Sequence, residues 1–222
     1  MKIIMINGSP RKYGATAKTL EYVKQKLENQ LSCEINLIHL IDQNIQTCKG
    51  CSLCFKKGTC YLKDDGDKIS TLLHQADGVV IATPTYVSNI SGLLKTCIDR
   101  AHIVMEQLLL NKQLFLITTY ENAGGHQAMK VLNNLSIYAG ASIGAKVIIK
   151  NAFNKNPLTQ SRIVKRIDKA SEKYCKAVKR NRKSRKQKLL HAIVFNIGIK
   201  PFVIRQGERY QAVVNRWGDL IR

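Results

Sequence analysis

The chain has 222 residues, enough for one domain with a sizeable apolar core, and a formal net charge of +21. No apolar run is long enough to span a bilayer, and the apolar N-terminal run is too short for a signal peptide, so a cytoplasmic protein is expected. The charge is uneven: residues 1–149 hold 16 Lys and Arg against 11 Asp and Glu, whereas residues 150–222 hold 20 against 4.

Ile3 to Ile6 is a short, continuous apolar run, the pattern of a strand buried on both faces of a parallel sheet. Gly8-Ser9-Pro10 ends it, and from Ala15 the spacing of Leu20, Val23 and Leu27 predicts a helix with one buried face. Strand, polar turn and helix start form an anion site, because free N–H groups and the helix dipole point at the same place. Ser9, Arg11 and Thr16 offer further donors. The turn lacks the glycine spacing of dinucleotide folds and the G-K-[ST] end of a triphosphate loop, so a monophosphate fits better. An ordinary capped strand–helix turn is the alternative.

Glu34 to Leu40 alternates apolar and polar residues, as a strand near a sheet edge does. A long loop containing four cysteines follows and ends in Asp64-Asp65-Gly66-Asp67, where Asp67 is expected to cap the next helix. Gly78 to Thr83 is a buried strand running into Pro84-Thr85-Tyr86-Val87-Ser88-Asn89, read as a polar turn before a helix from about Ser91 to Leu110. Leu114 to Thr118 is a fourth strand, followed by a loop from Thr119 to Gly125 and a helix to about Tyr138. Ala145 to Ile149 gives a fifth strand, and Ile163, Ile167, Ala170 and Tyr174 mark the buried face of a last long helix. Five strands alternating with helices predict a doubly wound α/β fold with a parallel sheet, whose ligands sit outside the carboxyl ends of the strands. Residues 1–178 are expected to form this domain, and residues 179–222 a basic and apolar C-terminal extension.

The stretches GSPRKYGATAKTL, TPTY and the Gly124-Gly125 loop together resemble the flavodoxin-like NAD(P)H-dependent FMN reductase superfamily. TCKGCSLCFKKGTCYLKDD resembles its iron–sulfur flavoprotein branch, and the likeness covers roughly residues 1–175. The resemblance implies FMN, with its phosphate at Ser9, Arg11, Ala15, Thr16 and Ala17. It places the ring against Pro84, Thr85, Tyr86, Val87, Ser88 and Asn89 and against Thr119, Tyr120, Gly124 and Gly125. Many relatives carry Asn where this chain has Ala15, which removes one phosphate or ribityl contact. NAD(P)H is implied as co-substrate, and no side chain need act as acid or base.

Cys48-x2-Cys51-x2-Cys54-x5-Cys60 places four of the seven cysteines within 13 residues. The spacing suits a [4Fe–4S] cluster better than zinc, whose structural sites use two separated knuckles; reduced thiols or a redox disulfide are the other reading. Lys49, Lys56, Lys57 and Lys63 surround the loop and would offset cluster charge or meet an acidic, ferredoxin-like partner. Cys33, Cys97 and Cys175 read as small buried residues. Tyr86 and Tyr120 are candidates to stack on a ring, His126 lies beside the glycine loop, and Tyr138 and Tyr174 read as packing residues.

Lys176 to Lys188 has eight Lys or Arg and no acid, and the apolar stretch Leu189 to Ile204 follows, interrupted at Lys200-Pro201. Packing on the body or in a homodimer or homotetramer is expected, with docking of residues 176–204 on an anionic membrane surface as the alternative. No nucleic-acid-binding motif is present. The expected activity is an FMN-dependent oxidoreductase that takes hydride from NAD(P)H and reduces a quinone, nitro or azo compound or free flavin, or passes electrons through the cysteine-bound cluster. A ferredoxin-linked electron carrier and a redox sensor docking by its basic tail are the alternatives.

Overall fold

The computed structural model describes residues 1–181 and 184–221, so Arg182 and Lys183 of the basic run and the terminal Arg222 lie outside the described residues. Five strands form the parallel sheet: β1 (Lys2–Asn7), β2 (Glu34–His39), β3 (Gly78–Tyr86), β5 (Gln113–Tyr120) and β6 (Ser142–Lys150). Their order is β2-β1-β3-β5-β6, and a two-residue β4 (Asn89–Ile90) turns back antiparallel on the end of β3. The helices of the body are α1 (Ala15–Glu28), α2 (Leu53–Lys57), α3 (Gly66–Gln75), α4 (Gly92–Arg100), α5 (Gly125–Tyr138) and α6 (Ser161–Lys179).

Because side chains alternate across a strand, a sheet covered on both faces needs apolar residues at nearly every position. Ile4, Ile6, Val79, Ile81, Leu114 and Leu116 face α3, α4 and α5, while Ile3, Met5, Val80, Ala82, Phe115 and Ile117 face α1 and α6. Each fully buried Leu or Ile contributes about 2 kcal/mol, so these two layers, rather than helix propensity, hold the domain together. Tyr174 is fully buried against Phe115, whereas Tyr138 is 43% exposed and packs less than its spacing predicts.

Two expectations change. The helix after Ser91 stops at Arg100, and residues 101–111 form successive turns with His102, Gln107 and Asn111 in the left-handed region. Ile103, Leu108 and Leu109 are buried along this path, so the apolar spacing continues although the helix does not. Opening the helix frees the Met105 carbonyl, which accepts a 2.9 Å bond from Trp217 Nε1. The start of α3 also differs: Asp67 lies in its first turn and makes no cap, and its carboxylate instead accepts from Cys60 N at 3.1 Å.

The C-terminal extension folds as α7 (Arg185–Ile193), a π-helical turn (Val194–Ile199), α8 (Lys200–Arg205), a 3-10 turn (Gly207–Tyr210) and α9 (Gln211–Ile221). Lys200-Pro201 does not break the path. Pro201 has no N–H to give to the preceding turn, and the backbone widens there into the π-helical segment. Among the described residues no helix is long and apolar enough to cross a membrane. Phe195, Val203, Tyr210, Val213 and Trp217 form a third apolar cluster that takes in Phe55 of α2 and Met105.

Trp217 packs within this cluster on Phe195, at 4.8 Å between ring centroids, and ties it to the body through its bond to Met105. Truncation of a buried Trp to Ala costs about 3–5 kcal/mol. Trp217→Ala is therefore expected to release α8 and α9 from the cysteine loop. Limited trypsin digestion should then cut after Arg205 and Arg209 while the sheet survives; a digestion pattern like that of the wild type would contradict this account.

Candidate functional site

The carboxyl ends of β1, β3 and β5 lie side by side, and their loops are tied together before any ligand is considered. Gly8 N donates to Ala82 O at 2.8 Å, and Ser91 Oγ donates to Gly8 O at 2.6 Å. A Cβ on Gly8 would stand 2.9 Å from Leu94 Cβ, so the approach of β1 to α4 requires glycine. Ser9 is buried, its N–H given to Asn7 Oδ1 and its Oγ held by the Arg11 backbone. The α1 helix begins after Gly14 with no side-chain cap and no acid in its first turn, which leaves the N–H groups of Ala15, Thr16 and Ala17 directed off the helix start. Thr16 Oγ1 meets Thr119 Oγ1 at 2.6 Å, joining α1 to the end of β5.

The segment Pro84–Asn89 is a hairpin rather than a simple polar turn. Thr85 pairs with Ile90 and Tyr86 with Asn89. Val87 and Ser88 make the reversal at φ 47° and 60°, and Val87 is fully exposed. A β-branched residue in the left-handed region is strained, and such strain gathers at binding sites. Thr85 Oγ1 is buried with no hydrogen-bond partner among the described residues. Gly124, at φ 87°, passes so close that a Cβ would come within 2.6 Å of Ser88 Cα. Tyr120 packs its ring against Gly125, so that face is not open for stacking; Tyr86 is 46% exposed, and His126 is exposed on the first turn of α5.

Phe153 and Asn154 were not among the residues singled out from sequence. Arg11 Nη1 donates to Asn154 Oδ1 at 2.8 Å and the guanidinium lies 4.6 Å from the Phe153 ring centre, which parks the arginine beside the α1 start. Asn154 has a left-handed backbone, a weak local signal for a turn that gave no hint of this contact.

The four clustered cysteines divide. Cys48 and Cys51 are exposed, and Cys54 and Cys60 are buried. Burial pushes the Cys54 thiol up to about 12, and the neighbouring Cys60 and Cys48 sulfurs add to the effect. Among the described residues no three His, Cys, Asp or Glu side chains converge as a metal site. The loop is fixed by the acidic run: Asp65 Oδ2 accepts from Asn44 N and Asp64 Oδ2 from Gln46 N, while Asp67 holds Cys60 N. The C-terminal extension covers it from outside. Phe55 stacks on Tyr210 at 4.7 Å, and Arg209 donates to Ser52 Oγ at 3.0 Å.

Behind Cys60 lies a buried pair missed from sequence, Arg100 and Asp64, with Nη2 and Oδ1 2.5 Å apart. Burial alone would lower the Arg100 pKa, but Asp64 and Cys60 hold it above its ordinary value. Burial would raise that of Asp64, yet the N–H groups of Gln46 and Gly66 and the guanidinium hold it below the usual carboxylate range. Among the lone cysteines, burial pushes Cys97 up to about 12 and Cys175 to about 11, as expected of packing residues.

Residues 1–154 match the family model described as NADPH-dependent FMN reductase. The chain is 36% identical over 223 residues to an iron-sulfur flavoprotein of Clostridioides difficile strain 630, covering 99% of this chain and 98% of the relative. An iron-sulfur flavoprotein of Archaeoglobus fulgidus is 35% identical over 162 residues, 72% of this chain and 76% of its own. In fold the chain is similar to an NADH:FMN oxidoreductase (TM-score 0.64, 20% identity, 79% of this chain and 89% of the other). It is also similar to an azoreductase of Bacillus anthracis (TM-score 0.60, 16% identity, 81% and 99%). A family match over most of the sequence, on a flavodoxin-like sheet with its loops gathered at one edge, makes this chain a member of the NADPH-dependent FMN reductase family and an FMN oxidoreductase.

Proposed function

We propose that the chain holds FMN across the β1, β3 and β5 loops, takes hydride from NAD(P)H and passes electrons to a small quinone, nitro, azo or flavin acceptor or to a cluster carried by Cys48, Cys51, Cys54 and Cys60. The observation that carries the flavin part is the uncapped start of α1, three free N–H groups with no competing carboxylate. Ala15, Thr16 and Ala17 would bind the phosphate there, with Ser9 shaping the turn and Arg11 adding charge. The unpartnered Thr85 hydroxyl and the strained Val87-Ser88 hairpin fit a flat group lying between Pro84–Asn89 and the loop from Thr119 to Gly125. Bound FMN supplies the two-electron acceptance and stepwise release that side chains lack. The protein's part is to orient that group and limit access to it.

The cluster reading rests on the donor set and on its surroundings. Four thiols in 13 residues suit an iron–sulfur group, and the buried guanidinium beside Cys60 offers positive charge to a thiolate-ligated one. The iron-sulfur flavoprotein names of the relatives support the same reading. Lys49, Lys56, Lys57 and Lys63 would favour an acidic electron partner over a basic one.

Ala15→Asp separates ligand binding from folding. A carboxylate at a helix start stabilises the apoprotein by about 0.3–1 kcal/mol. The same charge should repel the phosphate, and the FMN dissociation constant from fluorescence quenching is expected to rise at least tenfold, or about 1.4 kcal/mol. An unchanged constant would remove the phosphate from this helix.

Thr85→Val deletes a buried hydroxyl that has no hydrogen-bond partner among the described residues. The apoprotein should keep or slightly gain thermal stability, because the desolvation of that group is relieved. Weaker FMN binding with unimpaired stability assigns the hydroxyl to the cofactor; equal affinity would place the ring elsewhere.

For the cysteines, anaerobic reconstitution should give about four iron and four sulfide per chain. In the metal-free chain iodoacetamide is expected to label exposed Cys48 and Cys51 ahead of Cys54 and Cys60 by peptide mass spectrometry. Loaded protein should be protected at all four. Labelling that ignores the metal state would leave them as plain thiols.

A further inference from the structure

The helical path from Arg185 to Arg205 is about 30 Å long and carries apolar residues on two opposite faces. On the inner face every fourth residue meets the body. Gln187 Oε1 accepts from Ile143 N at 3.0 Å, and His191 Nδ1 donates to Ile137 O at 2.8 Å. Phe195 and Val203 are buried in the third apolar cluster, and Ile199 packs against it. Residues two positions from these lie about 200° round the helix, on the far side. They are Leu189, 63% exposed, Ile193, 47%, and Ile197, 76%. Phe202 and Ile204 are exposed further along the same path. A surface helix buries one apolar stripe and turns polar residues outward, whereas a helix apolar on both sides needs an apolar environment on both.

Charge selects what covers the outer stripe. Arg185, Lys186 and Lys188 are exposed at one end of it, and Lys200 and Arg205 at the other. Arg185 also lines a basic groove with Lys169, Lys173, Lys176 and Arg180, so the stripe and the groove adjoin. Between Glu172 and Glu208 the sequence holds 11 Lys or Arg and no Asp or Glu. A two-fold contact between copies sets the same patch against itself. Here it would bring these cations together with no carboxylate from the stretch to answer them, and like charges across an interface disfavour the pairing. An anionic lipid surface meets both needs. Its acyl chains take Leu and Ile, and its headgroups take the flanking Lys and Arg, whose apolar stems lie along the boundary.

We propose that the outer face of residues 185–205 docks on the surface of an anionic membrane. Leu189, Ile193 and Ile197 enter the boundary between headgroups and acyl chains, and Lys186, Lys188, Lys200 and Arg205 bind lipid phosphates. The path lies on the bilayer; among the described residues no helix is long and apolar enough to cross it. The inner-face contacts hold the stripe in place, so docking requires no refolding and needs neither flavin nor cluster.

The test is flotation of the full-length chain with vesicles of phosphatidylcholine alone and of equal parts phosphatidylcholine and phosphatidylglycerol. Wild type is expected to float with the mixed vesicles at low salt, and its partition should fall at least tenfold on phosphatidylcholine alone. Ile193→Gln/Ile197→Gln should lower partition onto the mixed vesicles at least tenfold with circular dichroism unchanged. Lys186→Glu/Lys188→Glu should do the same, and high salt should weaken binding of the wild type. If the double isoleucine variant lost its fold, Ile197→Gln alone, at the most exposed of these positions, would carry the same comparison.

A wild type that stays with neither vesicle would overturn the proposal. So would undiminished partition of the isoleucine variant, which would leave only the charge of the basic groove at work. A wild-type dimer in sedimentation velocity that Ile193→Gln/Ile197→Gln dissociates, without vesicle binding, would also overturn it and give the stripe to a second copy of the chain.

Discussion

The hydrogen bond from Ser91 Oγ to the Gly8 carbonyl, 2.6 Å long and fully buried, is the constraint on which both candidate sites depend. Ser91 also accepts from Leu94 N as the cap of α4, and its own N–H is given to Thr83 Oγ1 at the end of β3. One side chain therefore sets the phosphate-type turn, the β3 end and the start of a helix relative to one another. That helix is a short rod of nine residues, about 14 Å long. Its first turn touches the β1–α1 loop, and its last residue is Arg100 beside Cys60. The β1, β3 and β5 loops and the cysteine loop, set on opposite ends of one rigid element, thereby keep a fixed separation that loop-borne sites do not guarantee.

Much of this was legible from sequence, for a physical reason. A parallel sheet covered on both faces demands runs such as Ile3–Ile6, Gly78–Thr83 and Leu114–Thr118, and these stand out in any chain. Loops at one sheet edge follow from the alternation of strand and helix, whereas the sequence left a capped turn before Ala15 as an alternative and the structure shows no side-chain cap there. Arg100 was not legible. Midway along the helix expected from Ser91 to Leu110 an arginine gives no sign of burial, and only the pairing with Asp64 across the fold accounts for it. The acidic run misled in the same way, since the expected cap Asp67 serves Cys60 N, and Asp64, which accepts from Gly66 N at the α3 start, also holds Gln46 N of the preceding loop.

Residues 101–111 failed for the opposite reason: their local signal is genuine and is overridden. The apolar spacing of a helix persists through Ile103, Leu108 and Leu109. What opens the backbone is contact with a segment more than a hundred residues later, where Trp217 takes the Met105 carbonyl and Arg216 meets Glu106 at 2.7 Å. Glu106 in turn contacts His102, whose imidazole lies edge-on to Phe55 of the cysteine loop. Val87 is a related case, since nothing in a Thr-Tyr-Val-Ser stretch advertises a left-handed valine. Both places sit against the candidate sites, where local preference gives way to geometry.

The extension lies wholly beyond the part of the chain that matches the family model, yet it covers the cysteine loop from outside through Tyr210, Val213 and Trp217. Its basic residues do something different. Lys169, Lys173, Lys176, Arg180 and Arg185 line a groove of about 1080 Å³ that also includes Gln113 and Ile143, at the amino ends of β5 and β6. The strongest charge therefore lies at the far end of the sheet from the loops at its carboxyl edge, with the length of β6, about 30 Å, between them. Over that distance several Debye lengths of physiological salt intervene. The basic groove consequently does little to the field at the β1, β3 and β5 loops, which is set by nearer groups such as the uncapped start of α1.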